Sequence, residues 1–85
     1  CKIPIPLDEV DGVVIYAGDV DVANRVREVI LRNEKLRELL HRAVIEGGLY
    51  RIVISCLPAN SRTVAFTLRY HDGCEIYIHP KAVRE

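Results

Sequence analysis

One amphipathic stretch limits what this chain can fold into. Between Val20 and Glu46 the apolar residues Val22, Val26, Val29, Leu36, Leu40 and Ala43 recur at alternating steps of four and three, with Asn33 in the one gap. Ile30, Leu39 and Val44 widen the stripe. This is the period of a helix with one wet face. No second stretch of comparable length has it, and the remainder reads as strands and turns. A single helical segment can shield only one face of a sheet, so the opposite face is expected to lack cover from within the chain.

The same stretch raises a problem of length. As one helix it would run roughly 40 Å, whereas a six-residue strand covers about 20 Å. The unbroken stripe favours one long helix that overhangs its sheet. Asn33, as an internal cap, would instead make two. Asp19 or Asp21 can cap the start, and Gly47-Gly48 supplies the stop. Glu28 with Arg32 and Glu38 with Arg42 are spaced for ion pairs on the wet face.

Strand signals flank the helix. Lys2-Ile3-Pro4-Ile5-Pro6-Leu7 alternates apolar residues with proline, which suits an edge strand or extended arm, because prolines two apart lack N–H groups on the same side. Asp8 to Gly12 reads as a turn and Val13 to Ala17 as the first core strand. Tyr50 to Leu57, apolar on both faces at Ile52-Val53-Ile54, reads as a central strand. Thr63 to Tyr70 and Cys74 to His79 read as a hairpin. The expected fold is α+β: a mixed sheet of four to five strands, in the order β-β-α-β-β-β, with the first strand an edge arm and one long helix on one face.

The hairpin turn decides which residues the bare face displays. A two-residue loop, Asp72-Gly73, sets Phe66 and Leu68 on the face of Glu75, Tyr77 and His79. A three-residue loop pairs Tyr70 with Cys74 and gathers Phe66, Leu68, Ile76 and Ile78 into one apolar face. Register follows the apolar face, and Gly73 suits the left-handed third position, so the longer loop is expected. The bare face then carries Tyr16, Arg51, Thr67, Arg69, Glu75, Tyr77 and His79, with Arg69 opposite Glu75. Asn33, Leu36 and Leu40 mark a helix seam, where a lone Asn can set the register of a helical pair.

Composition narrows the functions. The chain has 85 residues, with 12 Lys plus Arg against 12 Asp plus Glu, for a formal net charge of zero. General polyanion binders usually carry a basic excess. No apolar run approaches the roughly 18 residues that span a bilayer, so a membrane partner is not expected. The odd cysteines Cys1, Cys56 and Cys74, with no Cys-x-x-Cys, argue against a disulfide framework or zinc ribbon and point to a reduced, cytoplasmic setting. The start at Cys1 reads as trimming or loss of an initiator Met. Arg outnumbers Lys nine to three, and Met and Gln are absent. That is a thermophile-like composition, which a GC-rich genome would explain equally well.

No cofactor is implied by any motif. Asp19 and Asp21, with Asp8, Glu9 and Asp11 nearby, could hold a divalent cation after the first core strand, but capping accounts for them and no Gly-rich phosphate loop is present. A metal-dependent enzyme is therefore the least supported reading. His71, Cys74 and His79 do not converge on one metal in the expected register. Cys56 has no activating neighbour in sequence. Asn60-Ser61-Arg62 has donors suited to an anion but reads as a connection. The bare face suits self-association or a protein partner, since aromatics and Arg are enriched at interfaces. It could alternatively stack nucleic-acid bases on Tyr16 and Tyr77, with Arg51, Arg69 and Arg62 on phosphates. The expected function is a small binding or assembly module, homodimeric or a subunit of a larger complex.

Overall fold

A computed structural model describes residues 3–55 and 65–82. The chain opens with a hairpin, β1 (Ile5–Val10) and β2 (Val13–Ala17), closed by Asp11 at φ 49° and Gly12 at φ 84°. Two consecutive left-handed residues make the turn whose twist matches that of flanking strands. The turn is thus only Asp11-Gly12, and not the longer Asp8–Gly12 segment that the polar run suggested. Val10, 4% exposed, pairs with Val13 and closes the core at that end. A register shift between Pro6 and Asp8 kinks β1, the strand that carries the proline.

The amphipathic stretch forms two helices and not one: α1 (Val20–Arg32) and α2 (Glu34–Gly47). Asn33 separates them with extended backbone, φ −107° and ψ 105°. Its N–H still donates to the Val29 carbonyl at 3.2 Å, ending α1. Its side-chain oxygen accepts from the N–H groups of Lys35 at 3.1 Å and Leu36 at 3.2 Å, starting α2. One residue therefore satisfies orphan groups of both helix ends, which is the usual role of an N-cap asparagine. The break resolves the length mismatch, because neither half exceeds 14 residues. Asp19 occupies the N-cap position of α1, with extended backbone and its carbonyl accepting from Ala23 N–H at 3.2 Å. Gly48, at φ 68°, ends α2 in the left-handed conformation that glycine tolerates best.

Three further strands complete the sheet: β3 (Leu49–Ile54), β4 (Ala65–Tyr70) and β5 (Gly73–Ile78), followed by a 3₁₀ turn over Pro80–Ala82. The strand order is β1-β2-β3-β5-β4. The inner pairs β2–β3 and β3–β5 are parallel, and the outer pairs β1–β2 and β4–β5 are antiparallel. β3 is the centre, as its doubly apolar Ile52-Val53-Ile54 requires. Residues 63 and 64 of the expected hairpin strand lie outside the described residues, as do Cys56 and the Asn60–Arg62 loop.

The core lies between the sheet and the helices. Val13 and Ile15 are fully buried, with Ile52, Ile54, Leu49 and Cys74 beside them. α1 contributes Ala23, Val26 and Ile30, whereas α2 contributes only Leu40 among its fully buried residues. Each buried Val, Ile or Leu side chain is worth about 1.5–3 kcal/mol, so α1 is the more firmly anchored helix. Arg27 of α1 reaches Asp8 of β1 at 3.6 Å and ties that helix to the edge. The exposed pairs are worth little. Arg32 meets Glu28 at 4.0 Å as expected, but Arg42 reaches forward to Glu46 at 3.3 Å and not back to Glu38.

Candidate functional site

The sheet face opposite the helices is built around a buried carboxylate and its half-buried arginine partner. Arg51 and Glu75 are register partners on the parallel strands β3 and β5, so their side chains leave the same face side by side. Arg51 Nη1 donates to Glu75 Oε2 at 2.8 Å. Glu75 is only 3% exposed, and among the described residues it is one of two buried polar or charged side chains, Ser55 being the other. A carboxylate so far from water needs several donors. The Tyr70 hydroxyl donates to its Oε1 at 2.7 Å and the Tyr77 hydroxyl at 3.4 Å. An irregularity between Leu49 and Arg51 in the β3–β5 register brings Tyr50 to the same spot. The Arg51 guanidinium sits between two rings, 4.7 Å from the Tyr16 centroid and 5.3 Å from that of Tyr50. Such stacking adds to the ion pair where water is partly excluded.

The tyrosines register this charge. The hydrogen bond to Glu75, followed by partial burial and the carboxylate's charge, pushes the Tyr70 phenol up to about 12. Burial first and Glu75 second raise Tyr50 and Tyr77 as well, with Arg51 opposing. A phenolate here would confront a carboxylate at hydrogen-bond distance, which is why the neutral form is favoured. Phe66 stacks on Tyr77 with centroids 5.1 Å apart and planes 9° from parallel. Val53, the register partner of Tyr16 and Tyr77, is 5% exposed despite lying on the uncovered side. Among the described residues, aromatic side chains, rather than another element, form the cover on this face.

Of the seven residues expected on this face, Tyr16, Arg51, Glu75 and Tyr77 meet here. Thr67 and Arg69 do not. Tyr70 pairs with Gly73, Leu68 with Glu75 and Thr67 with Ile76, so the loop is His71-Asp72, two residues long. That register turns Phe66, Leu68 and Tyr70 toward the aromatic face. It turns Thr67 and Arg69 to the helix side, where with Leu39, Arg42 and Glu46 they line an open depression of about 910 Å³. The expected Arg69–Glu75 pairing is replaced by Arg51–Glu75.

The expectation of a three-residue loop rests on the premise that the apolar side chains of the hairpin share one face, the one the helix covers. The aromatic face removes that premise. Gly73 is needed for a different reason from a left-handed turn. A Cβ there would come within 2.5 Å of the Gly48 carbonyl oxygen and 3.1 Å of the Tyr50 ring. The Cys74 N–H donates to that same carbonyl at 3.2 Å. Tyr50, Phe66, Leu68 and Tyr70 are members of this face that the sequence reading does not place there. The shorter-loop alternative, which put Phe66 and Leu68 beside Glu75 and Tyr77, carried the signal.

His79 lies just beyond β5, its Nδ1 accepting from the Lys81 N–H at 3.1 Å, apart from the cluster. The helix seam divides: Asn33 caps, Leu40 is buried, and Leu36 is 38% exposed. Leu36 lines an apolar groove of about 520 Å³ with Val29 and Leu39 of the helices and Ile76 and Ile78 of β5. Among the described residues no group of three or more His, Cys, Asp or Glu side chains is placed to hold a metal ion, Asp19 and Asp21 included. No helix among them is long and apolar enough to cross a membrane. Cys74 is a free, buried thiol in the core. No protein-family model, curated protein or solved structure matches the chain.

Proposed function

We propose that this protein is a small binding and assembly module, working as a homodimer or as a subunit of a larger complex. The observation that supports this reading is the aromatic sheet face, ordered around Arg51 and Glu75 and uncovered by any described helix. Tyr50, Leu68 and Tyr70 there remain 38%, 38% and 47% exposed. Large, rigid aromatic side chains held by internal hydrogen bonds lose little freedom when a partner arrives. A nucleic acid suits this face less well. Arg51 is engaged by Glu75, Arg69 is on the other side, and a buried carboxylate repels phosphate.

Sedimentation velocity from low micromolar to near-millimolar protein tests the self-assembly form, with a concentration-dependent dimer expected. Fluorescence titration with a single-stranded oligonucleotide at low salt is expected to show no binding. Tight, salt-sensitive binding would favour the nucleic-acid reading instead. A mass fixed at that of one chain over the whole range would limit the proposal to partners other than itself.

A further inference from the structure

The two edges of the sheet are not equivalent. β1 carries Pro6, which has no N–H to offer, a register shift beside it, and the charged Asp8 and Glu9. These are features that blunt a sheet edge. β4, Ala-Phe-Thr-Leu-Arg-Tyr, has no proline and a single charge, and its pairing with β5 runs unshifted from Ala65 to Tyr70. All of it is exposed except Phe66, which is half-buried.

The direction of its free backbone groups follows from the neighbouring ladder. Cys74 N–H donates to Gly48, and the Ile78 carbonyl accepts from Ser55 N–H, so Cys74 and Ile78 turn their backbone groups toward β3. By alternation Gly73, Glu75 and Tyr77 turn theirs toward β4. Their register partners Tyr70, Leu68 and Phe66 answer them. The N–H and C=O groups of Ala65, Thr67 and Arg69 therefore point outward from the edge. No described residue pairs with this row, and such a row of donors and acceptors is a template for another strand.

We propose that this strand is a second copy of β4, paired antiparallel about a twofold axis at Thr67, so that two sheets join edge to edge. This rests on the self-assembly reading and specifies its surface. In that register Thr67 meets its own counterpart, and Ala65 of each copy meets Arg69 of the other. All three outward residues of both copies are satisfied, and the two arginines stay apart. On the aromatic face Leu68 of one copy lies beside Phe66 of the other. With a formal net charge of zero, no long-range repulsion opposes two copies. The contact strip is only about 20 Å long, so its area falls at the small end of interfaces and the dimer is expected to be concentration-dependent.

The test uses sedimentation velocity on the full chain, with circular dichroism confirming the fold of each variant. Thr67→Pro removes an N–H that points away from β5, and should weaken the dimer at least about tenfold while leaving the monomer folded. Thr67→Lys and Thr67→Asp each place like charges across the axis. Each should be monomeric alone, and an equimolar mixture of the two should dimerise. A wild-type dimer that all three substitutions leave intact would overturn the edge pairing while leaving self-assembly standing. A wild-type chain that is monomeric throughout would overturn both.

Discussion

Glu75 is the residue on which most of the uncovered face depends. Its carboxylate accepts from Arg51, Tyr70 and Tyr77, and is nearly inaccessible to water. Glu75→Ala should cost about 2 kcal/mol, below the range for breaking a fully buried pair because Arg51 can turn its partly exposed guanidinium to solvent. Chemical denaturation with the midpoint compared to wild type measures this.

The same site predicts a pH dependence. The Tyr70 phenol titrates at about 12 in the fold, above its ordinary value of 10.0. The unfolded chain therefore releases that proton first as pH rises. Stability from this group is complete below about pH 10 and falls as pH climbs toward 12. Tyr50 and Tyr77 shift the same way and act in the same direction. Thermal melts at stepped alkaline pH should show a falling midpoint in that window, and Tyr70→Phe should make the fall shallower. Gly73→Ala is the third residue-scale prediction. Its methyl has no room beside the Gly48 carbonyl, so a loss of about 2 kcal/mol is expected in the same denaturation assay.

At the scale of elements, Asn33 converts one helical pattern into two helices. Heptad-like spacing alone cannot distinguish an interrupted stripe from a continuous one, since both halves present their apolar residues to the same sheet. The mismatch between a helix of roughly 40 Å and strands of about 20 Å is the physical reason for the break. Asn33→Ala should cost about 1 kcal/mol by removing the side-chain oxygen that holds Lys35 and Leu36 N–H groups. Far-ultraviolet circular dichroism during thermal unfolding reads the effect. Strand β1 shows the complementary lesson: Asp11-Gly12 alone is a sufficient turn signal, and the charges of Asp8 and Glu9 sit on an edge strand without ending it.

At the scale of the whole molecule, the helices lean on β1, β2 and β3, while on the helix side β5 lines the apolar groove and β4 the open depression beside it, with an aromatic layer on the other side. The molecule is thus more finished at its proline-bearing edge than at β4. The measured mass against concentration decides whether that asymmetry is used by a second copy. Neutral net charge does not mean uniform distribution. Arg51 with Glu75 and Arg27 with Asp8 join different elements, the first around a buried carboxylate and the second at a half-exposed edge, and the pairs along α1 and α2 are solvent-exposed.

The sequence by itself determined the α+β class, the mixed sheet, the central place of Ile52-Val53-Ile54 and the existence of a face that no described helix covers. Each follows from local periodicity and from how much surface one amphipathic stretch can shield. The register of the β4–β5 hairpin, the partner of Glu75 and the side on which Thr67 and Arg69 emerge were decided only in the tertiary structure. A shift of one residue in pairing reverses every side chain of a strand. The contacts that fix the register, Gly73 with Gly48 and Glu75 with Arg51 and Tyr70, join residues that no single strand contains.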